Sequence, residues 1–279
     1  MGIDAHVFCD CLKKNRTTPP PFPPGRIVQR DGEWQLDVPH QGHEQEYDDL
    51  DRWVTNACPH PRMVLVSESA TWESLIKFLT AAQSCGRVHF PTVVGQFSKP
   101  EGEIPSRLAK LALQELCAFN KGEHEGKLTW LVDSETGQEI EQYVPSRRGV
   151  IYWGTSSHRF EIGVRKNGFF VVKRRSGKWK WFSRPIFRSM RIEQELFKDP
   201  EGHEWAKYTD RDSGRTCVTD RPLQFPVPRF TKNGMEFDAP RFAQVEERPV
   251  NPRDYFEITA SLMRVFEASR DTGNSVFFG

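Results

Sequence analysis

Met1-Gly-Ile-Asp-Ala-His-Val-Phe-Cys-Asp-Cys-Leu12 opens the chain, and its reading decides the fold. An extended strand sorts side chains with a period of two, so Ile3, Ala5, Val7, Cys9 and Cys11 fall on one side. Asp4, His6, Phe8, Asp10 and Leu12 fall on the other. The first set is uniformly small and apolar once thiols are counted as weak hydrophobes, as expected of a strand facing a core. The stretch therefore predicts a strand on which later elements are laid.

Working outward, Thr17 to Gly25 holds five prolines, which lack amide donors and fix φ, so it reads as an extended connector. Ile27 to Asp37 reads as a hairpin about Asp31-Gly32. Tyr47, Leu50, Trp53, Val54 and Ala57 follow helical spacing, closed by Cys58-Pro59-His60-Pro61. Arg62 to Ser67 reads as a short buried strand. A helix capped by Ser69 or Thr71 follows through Trp72, Leu75, Ile76, Leu79 and Ala82, stopping near Gly86. Val88 to Phe97 is expected as a strand. Pro105 to Phe119 is expected as a helix burying Leu108, Leu111, Ala112, Leu116 and Phe119.

From Leu128 the texture changes. Runs rich in Val, Ile, Phe, Tyr and Trp alternate with turn signals at Ser134 to Gly137, Lys166 to Gly168, Ser176-Gly177, Asp199 to Gly202, Asp212 to Gly214 and Lys232 to Gly234, which predicts consecutive antiparallel strands. Pro222 to Pro228 and Pro240 to Pro252 read as loops or edges. Asp254 to Ser269 returns to helix, burying Phe256, Ile258, Leu262, Val265 and Phe266, and Gly273 ends it before a last strand at Ser275 to Phe278. The expectation is an α+β fold: a mixed α/β layer over 1–125, a mostly antiparallel β insertion over 126–248, and a C-terminal helix and strand over 249–279 packing back on the first layer.

Composition narrows the function classes. A net charge of +1 over 279 residues produces no global field toward nucleic acid or membrane, so such a partner must be met by a local patch. No run approaches the length of a membrane span, nothing at the start reads as a signal peptide, and His6 stands where N-myristoylation wants Ser or Thr. Six dispersed cysteines fit a reducing cytoplasm, with free thiols.

Two constellations carry chemistry. Cys9 and Cys11, with Cys58 and His60, have the composition of a tetrahedral zinc site, though the spacing is that of no known finger. On the residues alone, the reading that these are core thiols and a solvated histidine ranks above the metal, because isolated Cys-x-Cys pairs have low specificity. A cysteine nucleophile served by His6 or His60 and oriented by Asp4 or Asp10 uses the same residues. No Gly-x-Ser-x-Gly elbow, P-loop, His-Glu-x-x-His or dinucleotide fingerprint accompanies it.

The second constellation spans Ile162 to Ile192, with ten basic residues, no acidic one, and interleaved Phe and Trp. A hairpin at Ser176-Gly177 would gather Lys173, Arg174, Arg175, Lys178, Trp179, Lys180 and Trp181 into a surface for single-stranded nucleic acid or an acidic protein. The alternative pairs these charges with the acidic run Glu193, Glu195, Asp199, Glu201 and Glu204. Trp130, Trp153 and Trp205 read as packing, and His40 and His43 as residues of a solvated loop, despite their ligand-like spacing.

Met1 to Asp4, Cys9 to Cys11, Pro19 to Pro21, Trp53 with Ala57-Cys58-x-His60, and the ending Gly273 to Phe278 together resemble an uncharacterised bacterial protein family. The resemblance implies a bacterial, cytoplasmic protein with terminal strands side by side, and raises the Cys/His cluster above its standing from the residues alone. The family carries no activity that could be transferred. The leading expectation is a non-enzymatic binding protein with a protein partner, of the immunity or defence-associated type. The alternatives are a nucleic-acid-binding module and a zinc protein or cysteine hydrolase.

Overall fold

A computed structural model of the chain describes residues 2–30, 32–97, 101–151, 159–173, 185–232 and 234–279. They form two compact units, Met1–Gly126 with Asn251–Gly279, and Lys127–Val250. The architecture is α+β.

The first unit opens with strand β1, Gly2–Phe8. Ile3, Ala5 and Val7 are buried as the alternation requires, but the strand stops at Phe8, so Cys9 and Cys11 lie beyond it. Alternation of residue types could not reveal this, because Cys-Asp-Cys continues the apolar-polar pattern. The chain leaves the strand because backbone bonds close turns instead, Lys14 N donating to Asp10 O and Arg16 N to Cys11 O. The hairpin of β2, Ile27–Arg30, and β3, Glu33–Leu36, follows. Next come helix α1, Glu44–Asn56, and strand β4, Val64–Thr71, which is longer and less buried than expected and pairs antiparallel with β1.

Thr71 caps helix α2, Trp72–Ser84, its hydroxyl accepting from Ser74 N at 3.0 Å. The expected strand at 88–97 is instead a 3-10 turn, Arg87–His89, and the short helix α3, Pro91–Gln96. Pro91 suits a first helical turn, and the buried Glu115 carboxylate accepts from Thr92 N and Val93 N at 2.9 and 2.8 Å. Strand β5, Gly102–Ile104, and helix α4, Ala109–Asn120, complete this part; Leu111, expected in the core, is half exposed.

The second unit pairs β6, Lys127–Asp133, with β7, Glu139–Gln142, and β8, Phe160–Arg165, with β9, Gly168–Lys173. The chain continues through β10, Phe187–Ser189, β11, Arg191–Lys198, β12, Glu204–Asp210, and β13, Thr216–Thr219. The small hairpin of β14, Arg229–Thr231, and β15, Gly234–Glu236, precedes β16, Phe242–Pro249. Six strands form an antiparallel sheet in the order β13-β12-β11-β16-β6-β7, and three form another, β10-β9-β8. Ile162, Val164, Phe169 and Val171 of the smaller sheet share one core with Leu131, Ile192, Tyr208 and Val245 of the larger.

Strand β16 lies inside its sheet, between β11 and β6, against the expectation of a loop or edge. The prolines lie only at its margins, at 240, 249 and 252, and Phe242 to Arg248 keeps every amide donor.

The chain then returns to the first unit with helix α5, Phe256–Thr272, and strand β17, Val276–Phe278. Phe256 is exposed rather than buried, and Gly273 ends the helix at φ +70°. Strand β17 inserts between β1 and β5, giving the sheet order β4-β1-β17-β5, so the two ends of the described chain are neighbours. Ile3 and Ala5 of β1 line one small cavity with Leu75 of α2 and Leu262 and Val265 of α5, which places these helices on one face of the sheet. The β2–β3 hairpin covers part of the other face, with the Trp34 and Phe8 rings 5.3 Å apart.

Candidate metal centre

Two loops meet at the end of β1. The first carries Cys9, Asp10 and Cys11; the second begins where α1 ends and carries Cys58 and His60. Backbone bonds clamp them together, with Cys9 N donating to Met63 O at 2.8 Å and Thr18 N to Ala57 O at 2.7 Å. The Trp53 indole donates to Thr18 O at 3.0 Å. Leu50, Trp53, Val54, Ala57 and Met63 pack with Cys9 and Cys11 as the apolar bed of the site.

Four side chains converge there. Cys9 Sγ lies 3.6 Å from Cys58 Sγ, and His60 Nδ1 lies 3.4 Å from Cys11 Sγ and 3.7 Å from Cys58 Sγ. One ligand atom from each of Cys9, Cys11, Cys58 and His60 fits within 4.8 Å of all the others. Zinc–sulfur bonds of about 2.3 Å and zinc–nitrogen bonds of about 2.0–2.1 Å give tetrahedral edges of about 3.8 Å between sulfurs and about 3.5 Å between sulfur and nitrogen. The separations of 3.6, 3.4 and 3.7 Å lie near those edges, and the remaining pairs lie within 4.8 Å. The residues therefore fit one mononuclear, four-coordinate ion.

The backbone beside the site is strained. Arg62 and Met63 both adopt left-handed conformations, at φ +53° and +58°. A left-handed residue other than glycine costs about 1–2 kcal/mol and persists where its surroundings over-determine it. Met63 is fully buried and its carbonyl accepts from Cys9 N, so packing and this bond hold the left-handed turn in place.

Electrostatics favour protonated thiols until a cation displaces the protons. Burial pushes the Cys9 thiol up to about 12, and burial raises Cys11 as well. Asp10, between the two cysteines, turns away and pairs with Lys14, which holds its carboxyl below the usual range. His6 has its Nε2 3.1 Å from Gly32 O. Neither carboxylate of the nucleophile reading orients His60 among the described bonds: Asp4 accepts from Ser69 Oγ at 2.6 Å, and Asp10 is taken by Lys14.

Other sequence candidates separate. Lys173 is exposed at the end of β9, whereas Arg174, Arg175, Lys178, Trp179, Lys180 and Trp181 lie outside the described residues, as does Trp153. Of the acidic run, Glu193 bonds Arg241 and Glu195 bonds Lys207. The Asp199 carboxylate accepts from Trp205 Nε1 and from the backbone amides of Glu201 and His203. That accounts for the grouping of Asp199, Glu201 and His203 as a tied-down turn. His43 pairs with Glu46, and the His40 ring lies tilted against Tyr47 with centroids 4.5 Å apart.

Sequence reasoning missed Met63, whose left-handed turn joins the loops, and Asn274, whose side chain reaches Phe8 O and Cys9 O. No local pattern marks Met63. Asn274 carried a weak signal as the residue after the glycine that ends α5. These features define an α+β chain with a Cys3His cluster. Compared with protein-family models, curated proteins and solved structures, the chain matches none. Among the described residues no helix is long and apolar enough to cross a membrane.

Proposed function

We propose that this chain is a zinc-binding protein in which Cys9, Cys11, Cys58 and His60 form a structural centre, and that its wider role is binding rather than catalysis. The observation that carries this reading is the mutual approach of four soft and borderline donors drawn from two loops 49 positions apart. Three thiolates and one imidazole select zinc over the hard cations, which prefer oxygen. Four protein ligands close the coordination sphere, whereas catalytic zinc keeps a position open for water. A closed site joining β1 to the end of α1 serves to hold the first unit together.

The test is elemental analysis of chelator-washed protein, followed by cobalt substitution. One zinc per chain, an intense thiolate-to-cobalt absorption, and loss of both in Cys58→Ser are expected. Metal-free wild-type protein that fails to take up cobalt sinks the proposal.

A further inference from the structure

We infer that Asn274 is a positioning residue of the metal centre, so that metal occupancy and the docking of residues 273–278 are coupled. The inference rests on the zinc reading above. Asn274 is 4% exposed and stands 265 positions from Cys9, yet its Nδ2 donates to Phe8 O at 2.8 Å and to Cys9 O at 3.2 Å. Its Oδ1 accepts from Lys13 Nζ. One amide thereby holds both ends of the loop that presents Cys9 and Cys11.

The amide is itself fixed. Asn274 N donates to Thr272 Oγ1 at 3.2 Å, and Asn274 O accepts from the fully buried Ser269 hydroxyl at 2.6 Å. Gly273 turns the chain off α5, and two residues past Asn274 the backbone enters the ladder that pairs Val276 with Val7 and Phe278 with Ala5. The same β1 that receives this strand delivers the cysteine loop. A primary amide supplies two donors and an acceptor in one plane; an aspartate supplies no donor, and a serine only one. The position thus uses both the donor and the acceptor functions of a primary amide.

Hydrogen-bonded residues behind metal ligands fix ligand orientation, and their removal typically weakens metal binding by about 10–100-fold. Coupling between two sites is reciprocal, so an amide that helps the metal bind is helped in turn by the metal. In the zinc-loaded full chain, Asn274→Ala is expected to lower zinc affinity about 10–100-fold in competition with a chromophoric chelator. Its cobalt spectrum should shift, while Leu116→Val, a core change in the same unit, leaves both at wild-type values. In the wild type, stripping the zinc should accelerate amide exchange at Val276 to Phe278 as well as in the two ligand loops. The coupling is overturned if Asn274→Ala binds zinc as tightly as wild type, or if accelerated exchange stops at the ligand loops. Should Asn274→Ala not fold, the wild-type exchange pattern decides alone. Wild-type protein that takes up no zinc overturns the metal reading itself, which separates that failure from this one.

Discussion

Glu68 shows how a single side chain ties sequence to stability in this molecule. It sits on β4 and receives Arg264 of α5 through two bonds, Nε to Oε1 at 2.5 Å and Nη2 to Oε2 at 2.7 Å, a bidentate pair. The Arg264 guanidinium holds the Glu68 carboxyl below the usual carboxylate range. A carboxylate with a depressed folded pKa contributes stability above its unfolded value, about 4.3, and loses it as pH falls through the folded one. Because Arg264 is about half exposed, solvent screening keeps the contribution of the pair small. Arg264→Ala should therefore unfold in urea at a lower midpoint than wild type at neutral pH, and the gap should close in acid. A gap that persists below pH about 3 would assign the loss to the arginine stem packing on the sheet instead. Nothing in the sequence pairs positions 68 and 264, because the contact exists only once β4 and α5 are brought together. Glu115 teaches the same lesson: it occupies a polar position in an apolar helix pattern, and its task as the cap of α3 depends on a helix 22 positions earlier in the chain.

At the scale of elements, most of the layout was legible and the exceptions have physical causes. Turn signals such as Asp199 to Gly202 and Asp212 to Gly214 fall between paired strands, because glycine and aspartate meet turn geometry locally. The membership of the Cys9, Cys11, Cys58 and His60 group was legible too, since residue type alone marks these four side chains as candidate ligands. Its geometry was not. Cys9 and Cys11 continue the strand pattern in sequence, while the backbone turns away through the local bonds from Lys14 N to Asp10 O and Arg16 N to Cys11 O, and Cys9 N is held by the remote Met63 O. Strand β16 was misjudged for the opposite reason, because proline density marks the margins of an element as strongly as its interior. The antiparallel bridge that joins the 149–151 segment to β8 at Gly163 was likewise invisible. There Gly149, at φ +74°, has its carbonyl accepting from Val164 N at 2.8 Å, and Ile151 N donates to Ile162 O at 2.9 Å. A Cβ added at Gly163 would lie 2.2 Å from Gly149 O and 2.4 Å from the Phe170 ring. Gly163→Ala should consequently destabilise the β unit by about 1–3 kcal/mol, the range for overpacking. Chemical denaturation followed by strand-specific amide exchange measures it, and a stability equal to wild type would show that this bridge yields.

At the scale of the whole molecule, the proposed metal centre predicts different pH responses of stability with and without an ion. In metal-free protein, the Cys9 thiol has a folded pKa of about 12, above the unfolded value of about 8.5. A raised folded pKa means the neutral thiol is favoured by the fold. Its contribution is complete below about pH 8.5 and declines as pH rises toward about 12, because the unfolded chain ionises first. With zinc the order reverses. Ligation requires thiolates and a neutral imidazole, so binding releases protons, and at fixed free zinc its affinity climbs with pH. Binding to the native state alone stabilises by RT ln(1 + [L]/Kd), which then grows from acid to alkaline conditions. Thermal melts at fixed free zinc should show a melting temperature that rises between pH 6 and 8, while the chelator-treated protein stays level and then falls above about 8.5. Parallel curves for the two forms would mean that the four donors hold no ion in solution. Every ligand belongs to the unit of Met1–Gly126 with Asn251–Gly279, so calorimetry combined with amide exchange should place the zinc-dependent part of the transition there. The thiols that read from the sequence as core hydrophobes would then be neutral core groups without the ion and charged ligands with it, with the occupied state set by the supply of zinc.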